Sequence, residues 1–195
     1  GPPEERVPLG EWAEIYRGIN LAQAARDPEG TGVIRLADVQ DGRILPEQAA
    51  RYRFPPARKL DRYQVRPGDL LISCKGAAIK LCLVPELDGP LLLSHDFLGI
   101  RPNSDRVDPR YLLYLLRSPA GQRDLARLQM GSSIPMIRAA DLERLPFLYI
   151  PLSQQRQCAD RLEAAEQRVE AQIQALNRER ERAYNQFYRE IGLST

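Results

Sequence analysis

The sequence predicts an α+β protein: a β-rich domain with short helices, followed by one long coiled-coil-like α-helix. Three observations lead there. Prolines and glycines punctuate the first hundred residues too often for long helices. Short apolar runs lie between those breakers, as strands do. Finally, no proline or glycine occurs from Leu152 to Ile191, a stretch rich in the helix formers Ala, Gln, Glu and Arg. The boundary falls at Pro151, giving a folded domain over residues 1–150 and a helix over 151–195.

Taken in order, the runs from Glu11 to Tyr16, Gly32 to Leu36, Asp69 to Cys74, Ile79 to Val84, Leu91 to Leu93 and Phe97 to Arg101 predict strands of a compact, curved mixed sheet. Pro67 to Val84, PGDLLISCKGAAIKLCLV, predicts a turn and a β-hairpin whose small residues Gly76, Ala77 and Ala78 form the connection. Asp108-Pro109 has the form of an N-cap followed by proline at the first helical position, opening a helix through Arg117. Ser118-Pro119 repeats that signal for a second helix to about Leu128. Gly131-Ser132-Ser133 predicts a polar loop, and Arg138 to Leu145 a further helical turn ending at Pro146. Ser153 is the predicted N-cap of the long helix.

Along that helix Leu162, Val169, Leu176 and Ala183 recur every seven residues, with Ile173 and Phe187 alongside. They form one narrow apolar stripe. The remaining faces carry mixed charge, seven Arg against seven acids between Ser153 and Thr195. So narrow a stripe on so long a helix needs a partner helix, and the sequence offers none of comparable length. Leu162, Val169, Ile173, Leu176 and Phe187 are therefore the predicted dimerisation residues.

Composition excludes several classes of function. Net charge is only +2, so bulk basicity carries no argument. Three cysteines without CxxC spacing and a single histidine suggest neither a disulfide framework nor a zinc site, which fits a reducing cytoplasm with the cysteines as buried small hydrophobes. No apolar run approaches the roughly 20 residues needed to span a bilayer, and no signal segment opens the chain, so no membrane role is expected. The GxxxxGK spacing of a phosphate loop is absent. Ser94-His95-Asp96 holds nucleophile, base and acid types, but neighbours on a strand point to opposite faces and cannot form a relay. No catalytic residue is predicted.

The charge that exists is unevenly placed. Arg51 to Arg66 holds six basic residues against the single acid Asp61, interleaved with Tyr52, Phe54 and Tyr63. Arg51, Arg53, Arg58, Lys59 and Arg62 suit phosphate contact, though the same run also reads as a solvated loop of snorkelling cations. Lys75 and Lys80 in the hairpin are candidate phosphate clamps. Arg17 and Asn20, flanking a turn glycine, carry the side-chain types that read guanine and adenine edges, and Gln40 in the DVQDGR turn has the same capacity. Each of these is equally compatible with surface decoration.

The order of features resembles the specificity subunit of Type I restriction-modification systems, specifically one target-recognition domain followed by one helical spacer. The matching pieces are WAEIYRGIN, GVIRLADVQDGRI, PGDLLISCKGAAIKLCLV, the LLLSHDFLGIRPNSDRVDPRYLLYLLRS block and GSSIPMIRAADLERLPFLYIPLSQQRQCADRL, which together cover nearly the whole chain. The family usually has Glu-Gln before the helix, where Gln154-Gln155 stands here, and isoleucine where Cys158 stands.

The resemblance implies sequence-specific binding of double-stranded DNA without catalysis, and places Ser132 and Ser133 in a loop facing DNA. It implies a DNA methyltransferase (modification) subunit as partner, which would hold S-adenosylmethionine, and an ATP-dependent restriction subunit; no cofactor is expected in this chain. Full-length members carry two recognition domains and two spacers. With one of each, this sequence looks like a half subunit or a cut fragment, expected to form a homodimer on a bipartite palindromic site with the helix as a ruler. The competing reading is a non-DNA-binding adaptor that docks a partner enzyme through the helix.

Overall fold

The computed structural model describes residues 5–76, 78–129 and 135–193. In chain order its strands are β1 (Arg6–Pro8), β2 (Ala13–Arg17), β3 (Ala25–Ile34), β4 (Val39–Gln40), β5 (Arg43–Ile44), β6 (Arg51–Arg53), β7 (Leu70–Ser73), β8 (Leu81–Leu83), β9 (Leu91–Leu93), β10 (Phe97–Pro102) and β11 (Pro146–Leu148). The helices are α1 (Pro109–Arg117), α2 (Pro119–Leu128), α3 (Ala139–Glu143) and α4 (Leu152–Glu190). The chain forms two units, Gly1–Arg156 and Gln157–Thr195.

In the first unit, β2, β10, β7 and β8 form an antiparallel sheet in that order. A second sheet runs β6-β3-β9, with β9 parallel to β3 and β6 antiparallel. The predicted hairpin is β7 and β8, paired from Leu70↔Leu83 to Ile72↔Leu81. Its run of apolar residues is continuous because both faces are buried: Leu70 and Ile72 pack with Leu112, Leu116 and Leu125 of α1 and α2, while Leu71 points to Ile34, Leu93 and Phe97.

The two cap signals are realised. The Asp108 carboxylate accepts from the backbone N–H of Arg110 at 2.8 Å, and the Ser118 hydroxyl accepts from Gly121 N at 3.1 Å, so one serine ends α1 and starts α2. Gly121 is required there, since a Cβ would lie 2.2 Å from the Leu115 carbonyl oxygen. Beneath β10, Asp69 receives Arg101 through two bonds of 2.9 and 2.8 Å and the Tyr16 hydroxyl at 2.6 Å. Burial, reinforced by the Asp69 carboxylate, pushes the Tyr16 phenol well above its ordinary value, so it serves as a neutral donor.

Three expectations need correction. The strand predicted to begin at Gly32 begins at Ala25, and β6 lies inside the run read as a basic loop; the two strands pair across a register shift between Arg26 and Thr31. Pro28 and Gly30 hid the early part of β3, yet Gly30 is what permits it, because a Cβ would sit 2.3 Å from the Tyr52 carbonyl oxygen. Ser153 does not cap α4. The helix starts at Leu152, and the Pro151 carbonyl accepts from Gln154 and Gln155 N at 2.9 and 3.0 Å. Buried Gln155 instead ties the helix start to the domain, accepting from Asp108 N at 2.9 Å and donating to the Ile150 and Arg106 carbonyls at 2.8 and 3.1 Å. Finally, Cys74 and Cys82 are buried but Cys158 is exposed; burial raises the Cys82 thiol to about 12.

The second unit is the continuation of α4. At 39 residues and about 1.5 Å per residue the helix extends roughly 58 Å. It ends at Glu190, and just beyond it the φ of +79° at Gly192 allows Leu193 N to reach back to the Tyr188 carbonyl at 2.9 Å. Leu162, Val169, Ile173, Leu176 and Phe187 are 43–64 % exposed, an uncovered apolar stripe. No helix among the described residues is long and apolar enough to cross a membrane.

Candidate nucleic-acid interface

Three groups of polar side chains in the first unit bear on the predicted contacts. One forms at the end of the β2-β10-β7 sheet, where segments far apart in sequence are laced together. Ile19 N donates to Leu93 O at 2.7 Å, and His95 N donates to Ile19 O at 2.9 Å. Cys74 N donates to Asp96 O, and Ile137 N to Cys74 O, both at 2.9 Å. This gathers Arg17 from the end of β2 and Asn20 from the loop after it, Lys75 from just past β7, His95 and Asp96 from the turn after β9, and Met136 from the segment before α3.

Gly18 makes this packing possible, since a Cβ there would lie 1.8 Å from Ser94 O. Lys75 Nζ lies 3.9 Å from Asp96 Oδ1, and Gln129 Nε2 donates to Gly76 O at 3.0 Å. The side-chain oxygen of Asn20 accepts from Ala22 N at 2.9 Å, leaving its amide as the group to meet a ligand. His95 Nδ1 is buried with no partner among the described residues. Ser132 and Ser133 lie outside the described residues.

The second group is the basic run. Along β6, Arg51 and Arg53 are exposed on either side of buried Tyr52. Arg53 pairs with Asp27, so its charge is partly met. Arg51, Arg53, Phe54, Arg58 and Pro90 line an open cleft of about 460 Å3. Lys59 and Arg62 are exposed beyond it, the Arg62 guanidinium 4.9 Å from the centre of the Tyr63 ring. Among the described residues Arg51, Arg58, Lys59 and Arg62 make no ion pair, which leaves their charge available to an anion.

The third group surrounds the Asp41-Gly42 turn. Both residues have positive φ, 50° and 72°, the geometry of a two-residue turn joining β4 to β5. Exposed Gln40 donates to Ala37 O at 3.3 Å. Lys80 does not reach outward: its ammonium donates to Leu36 O at 2.6 Å and Val39 O at 2.8 Å, fastening the hairpin to the start of β4 and the turn leading into it. Two of its three N–H donors are thus spent within the first unit, which makes Lys80 a brace rather than an outward-reaching phosphate clamp. Arg117 stands at the same groove, 3.4 Å from Gly42 O and from Leu81 O. Sequence reasoning missed it because a basic residue at the end of a helix is accounted for by the helix dipole.

A family model for the type I restriction modification DNA specificity domain matches residues 22–178, most of the chain. The chain belongs to this family. The specificity domain is 25% identical over 173 residues to the type I restriction enzyme MjaVIII specificity subunit of Methanocaldococcus jannaschii, covering 85% of this chain and 40% of that protein. It is 25% identical over 178 residues to the putative type I restriction enzyme MjaX specificity subunit of the same organism, covering 87% and 42%. It thus spans less than half the length of these relatives.

Solved structures share the fold. A chain from a study of complex assembly and conformational transition of the type I R-M system superposes with a TM-score of 0.67 at 21% identity, over 97% of this chain and 44% of that one. The HsdS subunit from Thermoanaerobacter tengcongensis gives 0.64 at 23% identity, over 90% and 40%. The β-rich unit and the long helix of the specificity domain are therefore a fold found in specificity subunits.

Proposed function

We propose that this chain is a non-catalytic DNA-recognition subunit that reads one half-site with its first unit and sets the spacing between two half-sites with α4. The observation that carries the reading is the convergence of Arg17, Asn20 and Lys75 from separate segments onto one end of the sheet, in a chain whose family is defined by DNA specificity. The cations of the basic run supply phosphate contacts that fix the register, and side chains at the sheet end meet base edges. The methyltransferase subunit carries S-adenosylmethionine and the chemistry, and an ATP-dependent restriction subunit joins the same assembly.

The stripe on α4 is covered by a second copy running antiparallel. The charges within it choose that direction. Glu166 and Arg180 occupy positions of the seven-residue repeat shared by Ile173 and Phe187. A parallel pair would set Glu166 against Glu166 and Arg180 against Arg180, which repel. An antiparallel pair centred between Leu176 and Ile173 brings Leu162 against Phe187 and puts Glu166 within reach of Arg180. Two-fold symmetry then gives a palindromic, bipartite target.

The test is selection from a randomised duplex pool by the chain together with its methyltransferase subunit. The reading expects one inverted-repeat sequence with a fixed, unread spacer. Copurification of the methyltransferase without any enriched sequence would favour the adaptor instead.

A further inference from the structure

We infer that Met136 is a specificity-determining residue that packs on the 5-methyl group of a thymine in the major groove. The inference rests on the function proposed above and names one chemical feature of the half-site. Among the described residues of the first unit, Met136 is the exposed large hydrophobic side chain, at 39%; the others lie in the second unit. It stands in a polar, charged setting. Met136 lies opposite Lys75 in an antiparallel bridge, and directly opposed residues project to the same face with Cβ atoms about 5 Å apart.

The backbone holds that face firmly. Ile137 N donates to Cys74 O at 2.9 Å on one side, and Gln129 Nε2 donates to Gly76 O at 3.0 Å on the other. Lys75, 41% exposed, lies 3.9 Å from Asp96 Oδ1, and Arg17 and Asn20 reach the same end of the sheet through the Ile19↔Ser94 bridge.

One apolar side chain among polar and charged groups, Lys75 with Asp96 beside Arg17 and Asn20, is the wrong chemistry for a protein-docking site, which needs a contiguous apolar patch of several hundred Å2. It is the right chemistry for a thymine. The major groove displays a single methyl group per A·T pair, flanked by phosphates that suit Lys75 and by base edges that suit Arg17 and Asn20. The unbranched thioether adapts its rotamer to reach that methyl and gains dispersion contact with it.

The experiment compares two copies of one randomised duplex pool, made with dTTP or with dUTP, which differ only in that methyl group. The wild-type chain with its methyltransferase subunit should enrich a sequence containing a T·A pair. Replacing that one thymine by uracil should weaken binding about fourfold, the worth of one buried methyl group. Met136→Ala should bind the thymine and uracil duplexes alike, whereas Met136→Leu should keep most of the discrimination. An exposed side chain makes both variants foldable, and an unchanged unfolding midpoint confirms it. Equal binding of thymine and uracil duplexes by the wild type overturns the inference, as does undiminished discrimination by Met136→Ala. Enrichment of nothing from either pool removes the proposed function and this inference together.

Discussion

The ammonium of Lys80 sits 2.6 Å from the carbonyl oxygen of Leu36 and joins the β-hairpin to a segment 44 residues earlier in the chain. With the second bond to Val39 O at 2.8 Å, it makes Lys80 a brace. Lys80→Met keeps the stem and removes both bonds, leaving two part-buried carbonyls short of a donor. The expected loss is about 2 kcal/mol, typical for hydrogen bonds to a charged group, measured by urea unfolding. The salt dependence of DNA binding should not change. Unaltered stability with a flatter salt slope would return Lys80 to the phosphate contacts.

The basic run should behave in the opposite way. Replacing Arg58, Lys59 and Arg62 with alanine touches exposed or half-exposed side chains without ion pairs among the described residues, so unfolding should move little. The slope of log K against log salt should fall by about 0.9 for each phosphate contact removed. An unchanged slope would take this run out of the interface.

Asp108 predicts a pH signature. Burial works to raise its pKa, but hydrogen bonds from the Arg110 side chain and backbone, with the Arg110 charge, outweigh burial and hold it below the ordinary carboxylate value. A carboxyl depressed in the folded state contributes stability that is present above its unfolded pKa, about 3.9, and is lost as pH falls through the folded value. Asp108→Ala should cost about 1 kcal/mol at neutral pH as a lost N-cap. Its deficit should shrink as pH drops below about 4. A deficit constant with pH would show that the carboxylate charge plays no part.

Helix direction can be read from the native Cys158, exposed while Cys74 and Cys82 are buried. In the proposed antiparallel pair residue 158 would lie near residue 191 of the other copy, so spin labels on the two Cys158 thiols should sit about 50 Å apart. A parallel pair would bring them within about 15 Å. Replacing Leu162, Val169 and Leu176 together with polar residues should yield monomers by sedimentation.

Much of the fold is written locally. Asp108-Pro109 and Ser118-Pro119 announce α1 and α2 because caps act within one turn, and the hairpin follows from apolar runs around small residues. What failed depended on distant partners. The alternation of Arg51, Tyr52 and Arg53 is a strand signal, but the charge of its outward residues hid it, and only pairing with β3 reveals Tyr52 as buried. Lys80 and Lys75 look alike in sequence. The carbonyls of Leu36 and Val39, placed by a separate turn, decide that one is a brace and the other half-exposed. Met136 carried no signal at all, since its exposure depends on the bridge to Lys75.

The most direct measurement is equilibrium binding of the chain, with the methyltransferase subunit proposed as its partner, to a selected duplex and to the same duplex with both half-sites scrambled, at physiological salt. A preference of at least about a thousandfold for the intact sequence is predicted, as for other specific DNA readers. Equal affinity for the two duplexes would contradict the account.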